Sequence, residues 1–235
     1  MSLFAPELVL FDLDGTLLDT APDLVAAVNA TLSEHGAAPK TLSELRPYVG
    51  MGGGRMLAAA LAKDDIDVTA QAMALVPRFL GFYARMVGTH LGWFSGMEEV
   101  LAQLDGRKIP WGVVTNKPHR LAELTLHNTA ALDGCAVLIG AGVAAHAKPA
   151  PHPLRLAASL LGVAPARTWY IGDDHRDMVA ARAANMAAIA AGWGYIPPDT
   201  HVDHWDADAI TATPTELAAL VNSAWEPSAN AKMNV

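Results

Sequence analysis

Two aspartates separated by one residue follow a short apolar run near the N-terminus. The run Val9–Phe11 is typical of a buried parallel strand, and Asp12-Leu13-Asp14-Gly15 follows it directly. Side chains two apart on a strand share a face, so the two carboxylates are expected to converge at the strand end. Such a pair repels itself unless a cation or a proton intervenes, which predicts a cation or acid-base site. An Asp-Gly pair alone strongly favours a plain turn, and the full pattern of an apolar strand followed by D-x-D-G-T is far more specific.

Two further polar segments lie where later strands and loops end. Thr115 and Asn116 close an apolar run, where a hydroxyl and helix-opening N–H groups could hold phosphate oxygens; an ordinary helix N-cap has the same sequence. Lys148 lies beside Pro149 in a segment that also carries Pro151, and these prolines prevent helix and stiffen the approach to the next one. An isolated loop lysine is otherwise usually solvated.

A second acidic segment follows the strand predicted at 168–172. Acidic residues in a first helical turn are ordinary partners of the helix dipole, which accounts for Asp174 and Asp177 without any site. Asp173 differs because it stands at a strand end, and the carboxyl ends of parallel strands meet at one edge of a sheet. The sequence therefore predicts that Asp173 shares a pocket with the first two aspartates.

The elements that must position these residues alternate between strand and helix. Strands separated by helices predict an α/β fold with a Rossmann-like parallel sheet, right-handed crossovers and helices on both faces. Strands are predicted at 9–11, 109–115, 136–140, 168–172, 187–191 and 207–211, and helices between or after them at 98–104, 118–128, 151–161, 174–184 and 214–225.

The stretch between the first strand and the rest reads as an all-helical insert. Its helices are predicted at about 22–36, 42–45, 55–62 and 69–87, with a glycine-rich loop at 50–54 that could present N–H groups to an anion. This pattern divides the chain into a core at 1–20 and 89–235 and a helical cap domain at 21–88. The tail after residue 226 is expected to fray.

Composition restricts the class of protein. With 52% hydrophobic and 17% charged residues the chain can bury a full core. The net charge of −8 and the absence of a basic run argue against nucleic acid or an anionic membrane as partners. Cys135 stands alone, so no internal disulfide forms, and we expect it to be structural rather than reactive. The chain has no signal-peptide pattern and no membrane-length apolar run, which predicts a cytoplasmic protein.

The four polar segments, in this order, resemble the four motifs of the haloacid dehalogenase-like (HAD) superfamily. D-L-D-G-T at 12–16, Thr115, Lys148 and G-D-D-H-R-D at 172–177 carry the resemblance, which spans roughly residues 8–210. The helical insert after the first motif matches the position of the family's C1 cap. V-T-N-K-P at 114–118 resembles the phosphoglycolate phosphatase branch in particular.

The resemblance implies a role for each acidic residue. Asp12 would attack the phosphorus of a phosphate ester, and Asp14 would protonate the leaving oxygen and then deprotonate the water that cleaves an aspartyl-phosphate. Metal ligands would be Asp12, the backbone carbonyl of Asp14, and Asp173; their hard oxygens favour Mg²⁺. Asp177 would lie outside the metal ligands or orient Lys148. Family dehalogenases lack an acid at the position of Asp14 and need no metal.

The resemblance also assigns the phosphate contacts. Lys148 would bridge the nucleophile and a phosphate oxygen, and Thr115 would hold further phosphate oxygens. Backbone N–H groups near Gly15 and Asn116 would complete these contacts. Thr16 would support them without touching the phosphate.

Substrate identity is less constrained. The partner is expected to be a small phosphorylated metabolite, with 2-phosphoglycolate first and N-acetylmuramic acid 6-phosphate second, because the segment 194–197 and Trp205 resemble that second class of phosphatase. A sugar phosphomutase and a catalytically inactive binding protein are alternatives of other kinds. Arg55 is the candidate contact for a substrate carboxylate, and a solvated arginine at a helix start is an equal alternative. A monomer or a homodimer is expected.

Overall fold

The computed structural model describes residues 3–61 and 68–225, and these contain one main parallel sheet. The strands in chain order are β1 (Leu8–Phe11), β2 (Leu18–Asp19), β3 (Gly92–Trp93), β4 (Trp111–Pro118), β5 (Val137–Ala141), β6 (Thr168–Gly172), β7 (Ala187–Ala191) and β8 (Ala209–Thr211). Six of them pair in the order β5-β4-β1-β6-β7-β8, all parallel. The first strand therefore lies in the middle of the sheet, where both faces are covered.

Nine α-helices occur in the described residues. They are α1 (Ala21–Glu34), α2 (Leu42–Leu45), α3 (Gly53–Leu61), α4 (Val68–Met86), α5 (Met97–Gly106), α6 (His119–Asn128), α7 (His152–Leu160), α8 (His175–Ala184) and α9 (Pro214–Trp225). Each of the last five follows a strand or precedes one, as crossovers in a parallel sheet require. The predicted α/β fold is confirmed.

Strand periodicity assigns the helices to the two faces of the sheet. In β1, Val9 and Phe11 pack with α5, α6 and α9, whereas Leu8 and Leu10 pack with α7 and α8. Alternate residues of a strand point to opposite faces, so one fully apolar strand contributes to both hydrophobic clusters. This arrangement fixes the end of β1, and the aspartates after it, at the centre of the carboxyl edge.

The insert of α1 to α4 has a hydrophobic cluster of its own. Its buried residues include Leu32, Leu57, Phe79 and Tyr83, and Tyr195 from the main body joins them. A two-stranded antiparallel ribbon of β2 and β3 connects the insert to the sheet, with Leu18 opposite Trp93. The division into a core and a cap domain at 20/21 and 88/89 stays a prediction.

Most element bounds agree with the sequence prediction, and the differences have local causes. The ribbon strands contain two residues each, too few for an alternation pattern to be visible. Part of the glycine-rich loop is helical, because α3 begins at Gly53. A Cβ on Gly53 would lie 2.6 Å from the Phe79 ring, so the glycine permits close packing of α3 on α4. Ala62 and the tail after residue 225 lie outside the described residues.

Within the described ranges, every helix is too short or too polar to cross a lipid bilayer.

Candidate active site

Five of the predicted chemical residues line a cavity between the carboxyl edge of the sheet and the helical insert: Asp12, Asp14, Asn116, Lys148 and Asp173. The cavity volume is about 240 Å³, slightly below the usual range for small-molecule sites. The sheet side of the cavity is lined by Asp12, Asp14, Asn116, Lys117, Pro118, Leu121, Lys148, Asp173, Asp174 and Arg176, and the insert side by Leu24, Val49, Gly50, Gly52, Gly53, Met56, Val76, Phe79, Leu80 and Tyr83.

One buried lysine joins two of the carboxylates. Lys148 Nζ lies 3.0 Å from Asp12 Oδ2 and 2.8 Å from Asp177 Oδ1, and its side chain is 1% exposed. Asp12, Asp173 and Asp177 offer carboxylate oxygens that lie within 4.8 Å of one another. Three acids with a single ammonium group leave an excess of negative charge, so the cluster fits a divalent cation with oxygen ligands.

The electrostatics of the cluster agree with this excess. Burial, followed by the charges of Asp12 and Asp177, raises the pKa of Asp173 well above its ordinary value. Burial also raises the pKa of Asp177, to about 6, although the ammonium of Lys148 opposes the shift. Burial acts to lower the pKa of Lys148, but the two carboxylates outweigh it and the pKa is raised. The lysine therefore stays charged, and the cluster is short of positive charge.

Both oxygens of Asp173 are held by neighbouring groups. Thr16 Oγ1 donates a hydrogen bond to Asp173 Oδ1 at 2.8 Å, and the Tyr195 N–H donates to Oδ2 at 2.8 Å. Gly15 has φ +85°, and a Cβ on Gly15 or Gly194 would overlap the Asp173 side chain. Glycine is thus required at 15 both for the turn and for the close approach. The Gly15 N–H itself donates to Leu18 O at 3.1 Å.

Asp14 lines the same cavity but its side chain has different partners. Thr20 Oγ1 and Lys117 Nζ donate to Asp14 Oδ1 at 2.5 and 2.8 Å. The expected convergence by strand alternation is wrong, because β1 ends at Phe11 and the aspartates occupy the turn after it. In that turn the Asp14 side chain pairs with Thr20 and Lys117, and it is not one of the three carboxylates clustered with Asp173.

Lys117 is a second buried cation, and the sequence prediction missed it. Its Nζ lies 4.3 Å from the centre of the Tyr83 ring, a cation–π contact with the insert, and its side chain is 5% exposed. Burial acts to lower the pKa of Lys117, but the charge of Asp14 outweighs it, and the pKa lies above the ordinary value. Its place directly after the Thr-Asn pair was the available signal.

The loop after β4 supports Lys148. Asn116 accepts from the Lys148 N–H and donates to the Lys148 carbonyl, both at 3.0 Å, so its side chain fixes the backbone of that lysine. The side-chain amide is committed to this pair and is not directed at a phosphate. Thr115 is buried in β4, and its Oγ1 accepts from the Lys117 N–H at 3.2 Å.

The Asp177 side chain both caps the start of α8 and contacts Lys148. Its Oδ2 accepts from the Asp174 N–H at 3.1 Å in a capping box at the start of α8, while its Oδ1 contacts Lys148. Arg176 contacts the Asp174 carboxylate and donates to the Gly50 carbonyl of the insert, a contact between the two sides that sequence reasoning did not find.

Arg55 lies apart from this cavity, contrary to its expected contact with a substrate carboxylate. It is exposed and lines a shallow depression with Met51, Ala58 and Met73. The helix begins at Gly53, so Arg55 lies within α3 rather than at the end of a loop. Its neighbour Met56 lines the cavity, and adjacent residues of a helix point in different directions. Of the other predicted residues, Asp12, Asp14, Asn116, Lys148 and Asp173 line the cavity. Thr16, Gly15 and Asp177 contact residues that line it, and Thr115 precedes Asn116 in β4.

Comparison with known proteins agrees with this geometry. The family profile named haloacid dehalogenase-like hydrolase matches residues 9–191. A phosphoglycolate phosphatase of Xanthomonas campestris pv. campestris (strain 8004) is 47% identical over 224 residues, which cover 95% of this chain and 97% of that protein. An N-acetylmuramic acid 6-phosphate phosphatase of Pseudomonas putida is 38% identical over 216 residues, 92% of this chain and 96% of that protein.

Solved structures share the fold. A haloacid dehalogenase-like family hydrolase of Streptococcus pneumoniae superposes with a TM-score of 0.75 at 23% identity, over 90% of this chain and 96% of that one. CbbY of Rhodobacter sphaeroides, solved with phosphate, superposes with a TM-score of 0.73 at 22% identity, over 92% of this chain and 99% of that one. The chain belongs to the haloacid dehalogenase-like hydrolase family.

Proposed function

We propose that this chain is a phosphomonoester hydrolase in which Asp12 is the nucleophile, with 2-phosphoglycolate as its substrate. The observation that carries the proposal is the cluster in which Lys148 Nζ lies 3.0 Å from Asp12 while Asp173 and Asp177 stand beside them. A carboxylate beside a fixed ammonium group at the bottom of a pocket is suited to attack on a phosphoryl group, because the ammonium stabilises the negative charge on the phosphoryl oxygens.

We assign Mg²⁺ as the cofactor. Carboxylate oxygens of Asp12 and Asp173 lie within 4.8 Å of each other, and the family resemblance adds the backbone carbonyl of Asp14 as a third ligand. Hard oxygens of this kind favour Mg²⁺ over softer metals. The raised pKa of Asp173 marks a group that lacks a positive partner. When bound, Mg²⁺ would neutralise negative charge on the carboxylates and on the phosphoryl oxygens.

The proposed chemistry proceeds in two displacements. An oxygen of Asp12 forms a bond to phosphorus while the ester bond to the alcohol oxygen breaks, and the Asp14 carboxyl gives that oxygen its proton. Asp14 then takes a proton from a water molecule, whose oxygen attacks the aspartyl-phosphate and releases Asp12 and phosphate. Lys148, Thr115 and nearby backbone N–H groups would stabilise the transferring group, and Asn116 would keep Lys148 in place.

The choice of substrate class follows from charge and relatives. A relative named phosphoglycolate phosphatase is 47% identical over nearly the whole chain. A substrate with both a phosphate and a carboxylate needs cations in addition to Lys148, and Lys117 lines the same cavity. The second candidate, N-acetylmuramic acid 6-phosphate, is supported by a relative at 38% identity.

A phosphate-release panel tests the proposal. Purified protein with Mg²⁺ would be offered 2-phosphoglycolate, N-acetylmuramic acid 6-phosphate and common sugar phosphates, and we expect the highest kcat/KM for 2-phosphoglycolate. Asp12→Asn, prepared identically, should be folded and inactive, and activity retained in it would contradict the nucleophile assignment. A higher kcat/KM for N-acetylmuramic acid 6-phosphate would change the substrate assignment and leave the proposed chemistry unchanged.

A cytoplasmic location, a monomeric or homodimeric state and a partner limited to a small metabolite remain predictions from the sequence.

A further inference from the structure

Tyr195 contacts a predicted metal ligand through its backbone. It lies in the segment that follows β7 and is 4% exposed. Its N–H donates a hydrogen bond to Asp173 Oδ2 at 2.8 Å. The position of the residue 195 backbone therefore bears directly on the orientation of that carboxylate.

The other end of Tyr195 contacts the point where the chain leaves the sheet for the insert. Its hydroxyl accepts from the Ala21 N–H at 2.9 Å and donates to Asp19 Oδ1 at 2.8 Å. Asp19 ends β2, and Ala21 begins α1. The hydroxyl thus satisfies a buried backbone donor at the first residue of the insert.

The Tyr195 ring contacts an arginine of the insert and the chain segment that returns from the insert to the sheet. The guanidinium of Arg46, which also pairs with Asp19 at 3.0 Å, lies 5.1 Å from the ring centre. Phe94, one residue after β3 on the returning crossing, has its ring centre 6.2 Å from that of Tyr195. One side chain therefore connects the outgoing crossing, the returning crossing and, through its own backbone, Asp173.

We propose that Tyr195 is a positioning residue that couples the orientation of Asp173 to the chain crossings of the helical insert. The proposal rests on the proposed function in one respect, namely that Asp173 binds the divalent ion. A shift of the crossings would move the hydroxyl, and the rigid ring would pass that shift to the backbone N–H that holds Asp173. Divalent-ion binding and insert position would then be linked, although the hydroxyl touches no metal ligand.

Magnesium binding by calorimetry tests the coupling without any turnover. Tyr195→Phe keeps the ring and the backbone N–H and removes only the hydroxyl, so a purely structural role would lower Tm and leave the Mg²⁺ Kd unchanged. We expect the Kd, measured well below Tm, to rise about tenfold, as supporting groups around a metal site typically require. Tyr48→Phe is the matched control, because Tyr48 is 38% exposed on the same insert, and its Kd should stay within twofold.

A double-mutant cycle provides the second arm. Asp19→Asn weakens the acceptor of the Tyr195 hydroxyl and should raise the Mg²⁺ Kd about threefold in the natural sequence. The same change should have no effect in the Tyr195→Phe background if the hydroxyl carries the coupling. Asp19→Asn alone suffices if Tyr195→Phe does not fold.

The outcomes separate this inference from the proposed function. Binding to the unaltered protein with unchanged Kd in Tyr195→Phe, or additive effects in the cycle, would overturn the coupling alone. Absence of Mg²⁺ binding to the unaltered protein would overturn the metal assignment and the coupling together.

Discussion

The two walls of the cavity differ in charge. The sheet side contributes carboxylates, two lysines and an arginine, whereas no residue from the described part of the insert that lines the cavity is charged. The insert side is instead formed by apolar side chains such as Met56, Phe79 and Leu80, and by glycines. The chemistry and the recognition of anions thus both fall to the sheet side, while the insert supplies an apolar cover that excludes water and strengthens electrostatic interactions beneath it.

The difference follows from how each wall is built. Parallel strands bring polar strand ends from distant parts of the sequence to one edge, and the residues after β1, β4 and β6 all reach it. The helices of the insert bury an apolar face against one another. The side chains that they present to the cavity continue this apolar face.

The largest change is expected at Asp14, where the sheet side would supply proton transfer. Asp14→Asn keeps the acceptor for Thr20 and removes the acid and base, so kcat should fall by about 10³–10⁴ with Mg²⁺ binding retained. Steady-state phosphate release and calorimetry would measure the two effects. A fall of less than tenfold would show that the proton is carried by another group.

Lys148→Met tests whether the buried ammonium is required beneath the apolar cover. We expect kcat to fall by about 10²–10³, because one fixed partner of the transferring phosphoryl group is lost. Stability should fall by about 3–5 kcal/mol, since Asp12 and Asp177 lose their shared ion pair. Lys108→Met, an exposed lysine, is the control for kinetics and denaturant unfolding. Equal effects in the two variants would contradict the special place of Lys148.

Lys117 and Arg55 form a matched pair that sharpens the contrast between the walls. If the sheet side binds the substrate carboxylate, Lys117→Met should reduce kcat/KM for 2-phosphoglycolate about tenfold more than kcat/KM for ethyl phosphate. A difference of about tenfold corresponds to the loss of one hydrogen bond to a charged group. Arg55→Ala should change both values by less than twofold. The reverse pattern would return substrate recognition to the insert.

The smallest effect is expected at Cys135, which lies outside both walls. Burial raises the pKa of its thiol to about 11, and its Sγ donates to Val137 O at 3.1 Å. The thiol should therefore react slowly with disulfide reagents at neutral pH and faster as the pH approaches 11. Cys135→Ser should leave kcat unchanged. The raised pKa also means that this thiol's contribution to stability is present at neutral pH and is lost as the pH rises toward 11.

The sequence predicts those parts of the site whose position depends on the order of the strands. It does not predict the contacts that depend on the direction of individual side chains. Asp12, Lys148 and Asp173 follow predictable strand ends or a rigid loop, so topology alone brings them together. The pairing of Asn116 with the Lys148 backbone joins residues 32 apart in sequence and leaves no local pattern. Arg55 was misplaced because it was assigned to the end of the glycine-rich loop, whereas it lies inside α3, where its neighbour Met56 faces the cavity instead.

The Tyr195 contacts illustrate the same limit. The segment 194–197 stands out in the sequence. The hydroxyl of Tyr195, however, contacts Ala21 and Asp19, which precede it in the chain by 174 and 176 positions. Such contacts exist only after the sheet and the insert have both formed, so no periodicity encodes them.

The most direct test of the central claim is to find the phosphoryl group on Asp12. The Asp14→Asn variant, in which hydrolysis of the intermediate should be slow, would be mixed with Mg²⁺ and 4-nitrophenyl phosphate, whose leaving oxygen needs no proton from Asp14, then quenched in acid and digested for mass spectrometry. We predict one added phosphoryl group on the peptide that contains Asp12, and its absence when Asp12 is also changed to Asn. A phosphoryl group on any other residue, or none on a variant that still releases phosphate, would contradict the account.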